Sequence, residues 1–139
     1  MSLPRFHIAF PVHDLNLAKE FYINSLGCER GRESKSWVDF NLFGHQIVAH
    51  LSPEDCKRDL SNFVDGDKVP VRHFGVILPW EKWDEFCESI TEKEIPFLIS
   101  PKIRFKNSKG EQCTLFIKDP SGNVLEFKSF KNDSMVFEK

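Results

Sequence analysis

The stretch Val71-Arg72-His73-Phe74-Gly75-Val76-Ile77-Leu78 has the composition of a β-strand and carries one histidine. The chain contains a second stretch of the same kind near its start, Phe6-His7-Ile8-Ala9-Phe10-Pro11-Val12. In both stretches large apolar residues follow the histidine, and a helical pattern comes next. Because the same order of elements follows each stretch, we predict that the fold consists of two copies of one unit.

The spacing of matching residues supports an internal duplication. The interval from His7 to His73 is almost the same as the interval from Phe21 to Phe86, the matching phenylalanines of the two helical patterns. Segments 48–51 and 124–127 lie further apart along the chain, an excess that a longer second hairpin explains. We therefore predict one domain in four parts: module one at 4–51, a connector at 52–70, module two at 71–130 and a tail at 131–139.

Each copy predicts the element order β-α-β-β-β. In the first copy, Asp14 is a suitable helix N-cap and Gly27 ends the helical spacing. The strands that alternation predicts are 6–12, 37–43, 45–51, 71–78, 97–105, 111–118 and 124–127. The connector is expected to be irregular, with a turn at Asp65-Gly66-Asp67. An α+β class follows, in which two tandem βαβββ modules form a curved mixed sheet around a metal-binding cleft.

Composition bounds the class of partner. The chain has 139 residues, 40% of them hydrophobic and 29% charged, with a net charge of −2. Basic and acidic residues alternate without a basic stripe, which argues against a nucleic-acid partner. No apolar run approaches the roughly 18 residues of a membrane span, so we expect a cytoplasmic protein with no membrane partner. The four cysteines form no Cys-x-x-Cys pair, and we expect reduced structural thiols.

Strand parity predicts a cluster of chemically active side chains. It places His7 and His73 on the sheet face away from the helices, and Glu126 on the same face of the last strand. The alignment of segment 48–51 with segment 124–127 puts His50 at the position that corresponds to Glu126. Two imidazoles and a carboxylate are the set that non-haem Fe(II) prefers, and a third imidazole also suits Zn, Ni or Mn. We expect His45, an odd number of residues from His50, to be structural.

The same parity predicts residues that line the cleft. Arg104 is expected to bind a substrate carboxylate, because a guanidinium binds two oxygens at once. Five further wall residues are expected: Trp37, Asp39, Asn41, Gln112 and Phe116. A mostly apolar wall with few polar points suits a small molecule with two adjacent oxygens, such as a catechol.

Several motifs resemble the vicinal oxygen chelate superfamily, which includes glyoxalase I, fosfomycin-resistance proteins and extradiol dioxygenases. They are the opening segment 7–15, Phe21-Tyr22 with Leu26-Gly27, and Asp119-Pro120-Ser121-Gly122-Asn123-Val124-Leu125-Glu126. Segment 37–51, with 73–76 and 103–105, is similar to a group of short bacterial proteins described as extradiol-type dioxygenases. The resemblance covers nearly the whole chain.

The resemblance implies a βαβββ-βαβββ fold with a divalent metal, and His7, His73 and Glu126 match the ligand positions of the superfamily. His50 stands where glyoxalase-type members carry a glutamate ligand, so it is expected to be a fourth ligand or a catalytic acid/base. Ring-cleaving members carry a catalytic tyrosine, whereas Tyr22, the one tyrosine of this chain, is expected in the core.

The function that the resemblance favours is an extradiol-type dioxygenase that uses Fe(II), with Zn, Ni or Mn as alternatives. Two other functions remain open. One is a glyoxalase-like isomerase or lyase, and the other is a metal-free small-molecule-binding protein of the resistance kind. The expected partner is a small-molecule substrate. A homodimer that forms through sheet edges also remains open.

Overall fold

A computed structural model describes residues 3–56, 61–64 and 66–139 and shows an α+β fold. The chain divides into two compact units. The first comprises Met1–Arg58 and Asp119–Asn123, and the second comprises Asp59–Lys118 and Val124–Lys139. The turn between the last two strands therefore groups with the first unit.

The first unit is a βαβββ module, as the sequence predicts. Its elements are β1 (His7–Val12), α1 (Leu15–Lys19), β2 (Glu29–Glu33), β3 (Trp37–Leu42) and β4 (His45–Leu51). The sheet order is β1-β4-β3-β2, with β1 parallel to β4 and the other pairs antiparallel. Alternation does not reveal β2, because it is an edge strand and all five of its residues are exposed.

Local sequence explains the helix of this unit. The Asp14 carboxylate accepts a hydrogen bond from the Leu17 backbone N–H at 2.9 Å, as an N-cap does. The helix continues as a π-helical segment, Glu20–Ser25, and the chain leaves it at Gly27, whose φ is +85°. Tyr22 on this segment is 0% exposed and packs against the aromatic rings of the sheet.

The second unit begins with a hairpin that the sequence does not predict. It consists of β5 (Ser61–Val64) and β6 (Asp67–Pro70), which pair antiparallel. The expectation of an irregular connector is therefore wrong for these residues. Asp65 of the predicted turn lies outside the described residues, and Gly66 beside it has φ +85°. In each of these four-residue strands two polar residues precede two apolar ones, so they lack the apolar alternation on which a prediction could rest.

A helix and a three-stranded sheet follow. They are α2 (Trp83–Glu92), β7 (Phe97–Arg104), β8 (Gln112–Lys118) and β9 (Val124–Phe130), and the sheet order is β7-β8-β9. Within the described residues, no helix combines the length and the apolar character that a membrane crossing requires.

The segment 71–78 runs along β9 without forming the regular strand that its sequence predicts. The chain bends at Val71 and Arg72, so that pairing with β9 starts only at Phe74. There the Phe74 carbonyl accepts from the Glu126 N–H at 2.8 Å. The segment still occupies beside β9 the place that β1 occupies beside β4, because both contacts are parallel.

The sheet of the second unit is covered on both faces. On one face α2 buries Trp83 and Ile90, and the Phe86 ring lies 4.6 Å from the ring of Phe127 on β9. On the opposite face Val69 of β6 packs in a buried cluster with Phe116 of β8. The hairpin therefore lies over the sheet face that is not occupied by the helix.

Candidate metal centre

His73 and Glu126 form a close pair on the hairpin-covered face. His73 Nε2 lies 3.1 Å from Glu126 Oε1, and the two side chains are 28% and 14% exposed. His73 Nδ1 lies 2.8 Å from the Pro70 carbonyl oxygen, and Thr114 Oγ1 donates to Glu126 Oε2 at 2.5 Å. The Phe116 ring meets the imidazole edge-on, with 5.2 Å between centroids. Every polar atom of the pair thus has a partner.

The pair perturbs the titration of both members. The hydrogen bond to Glu126 raises the pKa of His73, and the Pro70 carbonyl adds to this while burial opposes it. Burial by itself raises the pKa of Glu126, but the hydrogen bonds from His73 and Thr114 outweigh it, so the carboxyl pKa is lowered. Both shifts favour a positive charge on or beside the imidazole and a negative charge on the carboxylate.

Hydrogen-bond chemistry fixes the tautomer of His73. A carbonyl oxygen can only accept, so Nδ1 must carry a proton toward Pro70. In the neutral ring Nε2 then presents a lone pair to a carboxylate that also can only accept, which is unfavourable unless a cation lies between them. A proton or a metal ion can fill that role. The donor set therefore fits a divalent metal on Nε2 and Oε1.

His7 lies on β1 in the first unit, paired in register with Gln46 on β4. Its Nδ1 is 2.8 Å from Gln46 Oε1, and Gln46 Nε2 is 3.0 Å from Asp39 Oδ2 on β3. These contacts place the three side chains on one sheet face, as strand parity predicts.

His50 lies on that face but not beside His7. It pairs in register with Pro11 and Trp37, whereas His7 pairs with Gln46, four residues earlier on β4. Four residues of extended strand span roughly 13 Å. The imidazole is exposed and lies at the opposite end of the sheet face.

The strand register corrects the predicted equivalence of His50 and Glu126. In the first unit Ala9, two residues after His7, pairs with Val48. In the second unit a Cβ on Gly75, two residues after His73, would overlap the Glu126 carbonyl oxygen. The residue that corresponds to Glu126 is therefore Val48, because parity fixes the face of a residue but not its position along the strand. Leu51, which parity predicts in the core, is 43% exposed.

Arg104 is not the exposed residue that its sequence position predicts. It is 3% exposed, and its guanidinium donates to the Val64 carbonyl oxygen at 2.8 Å and to Asp67 Oδ2 at 2.9 Å. Lys102 Nζ donates to the same carboxylate oxygen at 2.9 Å. These bonds hold the hairpin against β7 and occupy the guanidinium that was expected to bind a substrate carboxylate.

Four other residues predicted to line the cleft differ in whether their side chains are free to meet a ligand. Phe116 contacts His73, and Trp37 is half-buried with the Arg32 guanidinium 5.9 Å from its ring. Asn41 instead accepts from the Gly44 N–H at 2.7 Å, and Gln112 is buried and donates to a backbone carbonyl. Phe116 is itself 1% exposed and packs against Val69, so Trp37 remains the candidate of these four for contact with a ligand.

Sequence reasoning missed three hydrogen-bond partners of the candidate ligands His7, His73 and Glu126. They are Gln46, Thr114 and Pro70. Parity could have shown that Gln46 and Thr114 lie on the same sheet face as their partners, but only the strand register of the structure brings each near its partner. The Pro70 carbonyl gives no sequence signal, because any residue supplies the same atom.

Other titratable groups have structural partners. His45 Nδ1 accepts from the Phe6 N–H at 3.0 Å, which agrees with the structural role expected for it. Tyr22 donates to Asp119 Oδ2 at 2.8 Å, and burial raises its pKa well above the usual value. The four cysteines are free thiols, and burial raises the pKa of Cys28 to about 12 and that of Cys87 to about 11. Such thiols are poor nucleophiles.

Within the part of the chain that the structure describes, no group of three or more His, Cys, Asp or Glu side chains is arranged around a common metal position. The second unit by itself brings together two residues of the expected ligand set, His73 and Glu126.

Comparison with known proteins identifies the family. The family model of the Glyoxalase/Bleomycin resistance protein/Dioxygenase superfamily matches residues 6–127. The chain belongs to this superfamily. A protein of the same description from Alicyclobacillus acidocaldarius is 34% identical, with a TM-score of 0.85 and 96% of both chains covered. The superfamily and the βαβββ fold that the sequence predicts are thereby confirmed.

Two more distant structures share the fold. A lactoylglutathione lyase from Agrobacterium tumefaciens is 21% identical, with a TM-score of 0.65 and coverage of 91% of this chain and 92% of that one. The fosfomycin resistance protein FosX from Listeria monocytogenes is 18% identical, with a TM-score of 0.68 and coverage of 97% and 98%. A comparison with curated proteins found no match.

Proposed function

We propose that the chain is a divalent-metal-dependent enzyme that acts on a small substrate with two adjacent oxygens, in the manner of an extradiol-type dioxygenase. His73 and Glu126 would supply two ligands, and His7, the repeat counterpart of His73, the third. One observation carries the proposal. His73 Nδ1 is committed to the Pro70 carbonyl, so that the Nε2 lone pair is aimed at a carboxylate 3.1 Å away.

The ligand chemistry favours a particular metal. Two imidazoles and one carboxylate form the set of non-haem Fe(II) oxygenases, which favours Fe(II) over Zn, Ni or Mn. When bound, the metal would polarise the two substrate oxygens as a Lewis acid and, as Fe(II), permit reaction with O₂.

The residues around the pair prepare it for this task. Thr114 occupies Glu126 Oε2, so the other carboxylate oxygen is left to face His73. The edge-on contact with Phe116 restricts rotation of the imidazole. Val69 of the hairpin packs on Phe116 and limits access of water to this face.

His50 is assigned to proton transfer. Its position four residues along β4 from the partner of His7 does not suit a shared metal, but it suits a group that meets the substrate. An exposed imidazole can accept and return a proton during the reaction. Trp37, its neighbour in register, offers an aromatic face against which a planar ring can stack.

A metal-free function has one observation in its favour. The raised pKa of His73 means that a proton can take the place between Nε2 and Glu126, which gives a stable imidazolium–carboxylate pair. A small-molecule-binding protein of the resistance kind would then use the same face without a metal. A glyoxalase-like isomerase or lyase differs from the dioxygenase in the metal and in the absence of O₂ consumption.

Metal uptake decides among these functions. The protein is stripped with a chelator, exposed anaerobically to Fe(II), Zn, Ni or Mn, and analysed for bound metal. We expect one equivalent of metal per chain in the wild type and in His45→Ala, and none in Glu126→Gln, which keeps the shape of the side chain. Wild-type protein without metal uptake, or equal uptake in Glu126→Gln, would overturn the proposal.

A second measurement separates oxygenase from isomerase chemistry. With Fe(II) bound we expect O₂ consumption when catechols are added, and a loss of this activity in His50→Gln despite unchanged metal content. Metal uptake without O₂ consumption for any catechol, together with stronger binding of Zn or Ni, would favour the isomerase.

A further inference from the structure

Behind His7 lies a short chain of hydrogen bonds that crosses three strands. Gln46 on β4 lies between Asp39 on β3 and His7 on β1. Its amide nitrogen is 3.0 Å from Asp39 Oδ2, and its carbonyl oxygen is 2.8 Å from His7 Nδ1.

The donor and the acceptor of each hydrogen bond can be assigned by starting from the Asp39 carboxylate. A carboxylate can only accept hydrogen bonds, so the Gln46 atom that faces Asp39 must be the amide nitrogen. The Gln46 atom that faces His7 is then the carbonyl oxygen, which also can only accept. His7 Nδ1 must therefore be the donor, and in the neutral ring the lone pair lies on Nε2.

We propose that Asp39 and Gln46 are positioning residues that hold His7 in the tautomer and orientation of an Nε2 metal ligand. The inference rests on the proposed function, in which His7 is the third ligand. It replaces the sequence-based expectation that Asp39 contacts the substrate, because Oδ2 of this carboxylate is occupied by Gln46.

The second histidine supports this interpretation independently. His73 has the same tautomer, with Nδ1 bonded to an acceptor and Nε2 directed at Glu126, but its acceptor is the Pro70 backbone carbonyl. Metal-binding histidines usually donate their second N–H to an acceptor of this kind, which fixes the ring and raises its basicity. Two different partners thus produce one tautomer at the two equivalent positions of the repeat.

The tautomer can be measured without any metal. In metal-free protein labelled with ¹⁵N-histidine, at about pH 8.5 where imidazoles are ordinarily neutral, the ring nitrogen shifts show which atom carries the proton. We expect Nδ1–H at His7 in the wild type. In Gln46→Met, which keeps the length of the side chain and removes its acceptor, we expect a change toward Nε2–H, the form that a free histidine side chain favours in water.

A double variant in which the amide and the carboxylate are exchanged provides the matched control. In the double variant Asp39→Asn/Gln46→Glu the amide and the carboxylate exchange places, so the carboxylate accepts from His7 Nδ1 and the amide donates to the carboxylate. We expect this variant to restore Nδ1–H, whereas Gln46→Glu alone sets two carboxylates side by side. Metal affinity should fall roughly tenfold in Gln46→Met and recover in the double variant.

The outcomes distinguish this inference from the proposed function. Nε2–H at His7 in the wild type, or an unchanged tautomer in Gln46→Met, would overturn the inference whatever the protein binds. If the tautomer depends on Gln46 but the protein takes up no metal, the positioning of His7 by Gln46 and Asp39 is upheld and the proposed metal site is overturned. A tautomer and a metal affinity that change together would uphold both.

Discussion

The two histidine segments occupy equivalent positions of the sequence repeat but differ in local structure. His7 lies in a regular strand, β1, which pairs with β4 along its whole length. His73 lies just after a bend, in a segment that meets β9 at only two bridges. His7 is oriented by side chains, Gln46 and Asp39, whereas His73 is oriented by the backbone carbonyl of Pro70.

This difference shows how one histidine tautomer can be reached in two ways. A regular strand keeps its carbonyls in the ladder, so a histidine on it needs a side chain as acceptor. Pro70 ends β6 and the chain bends directly after it, so His73 can use the Pro70 backbone carbonyl directly. The first arrangement depends on the identity of two residues, and the second depends on the path of the chain.

The largest expected effect is the loss of metal on removal of either histidine. We expect His7→Ala and His73→Ala each to lower metal affinity by more than roughly 100-fold, because a ligand contributes more than its supporting partners do. His50→Ala should keep its metal, since register separates His50 from His7. Titration with Fe(II) or Zn and metal analysis measure this. If only His50→Ala lost its metal, His7 and His73 would not be equivalent metal ligands.

The next effect concerns the residues two positions after each histidine. A Cβ on Gly75 would overlap the backbone oxygen of Glu126, so Gly75→Ala must push segment 71–78 away from β9. We expect a loss of about 3 kcal/mol in the free energy of unfolding, measured with urea. The counterpart change Ala9→Gly should cost only about 0.5–1 kcal/mol, because it adds backbone freedom without a clash. Equal effects of the two changes would mean that the two segments pack alike.

A smaller effect is expected from the helices that follow each histidine. Tyr22 and Cys87 stand at matching positions, since each directly follows the phenylalanine that the two helical patterns share. The buried hydroxyl of Tyr22 donates to Asp119, which also accepts from Ser121 and Asn123. Tyr22→Phe should therefore cost about 1–2 kcal/mol of stability and leave metal uptake unchanged. If Tyr22→Phe lost catalytic activity while it stayed folded and took up metal, Tyr22 would instead have a catalytic role.

The matched change in the second unit is Cys87→Ala. Its thiol is only partly buried, so we expect a smaller loss of stability than for Tyr22→Phe. Thermal unfolding of both variants under reducing conditions makes the comparison.

The smallest effect is a pH dependence that arises at the hairpin β5–β6 of the second unit. Hydrogen bonding to Lys102, with Arg104 nearby, lowers the pKa of Asp67 below its usual value. A lowered pKa in the folded state stabilises the protein above the unfolded pKa, which is near 3.9, and this contribution disappears as the pH falls through the folded value. The stability difference between wild type and Asp67→Asn should therefore be constant above about pH 5 and shrink below about pH 4. A difference that persists in acid would assign the effect to packing.

Much of the candidate centre can be predicted from the sequence, and the failures have a common cause. Alternation correctly places Glu126 on the face that carries His73, and the structure brings them into contact. It also places Arg104 on this face but does not reveal that the side chain is buried, because nothing in the sequence signals that the hairpin β5–β6 covers the sheet there. The alignment of the two repeats also matches His50 to the wrong residue, because the offset between repeats along the sequence does not specify which residues pair between strands.

The sequence by itself determined the duplicated module, its superfamily and the two histidines at equivalent positions. The elements of each module follow from short-range patterns, since alternation, helix caps and turn residues act over a few neighbouring positions. The duplication follows from the matching intervals between the two copies, and the superfamily from the motifs that resemble it. The tertiary structure alone decided which atom of each histidine is available, because Gln46, Asp39 and Pro70 act through hydrogen bonds whose partners depend on register and on a bend in the chain. Register is set by packing across the whole sheet, so it cannot be obtained from the local pattern of one strand.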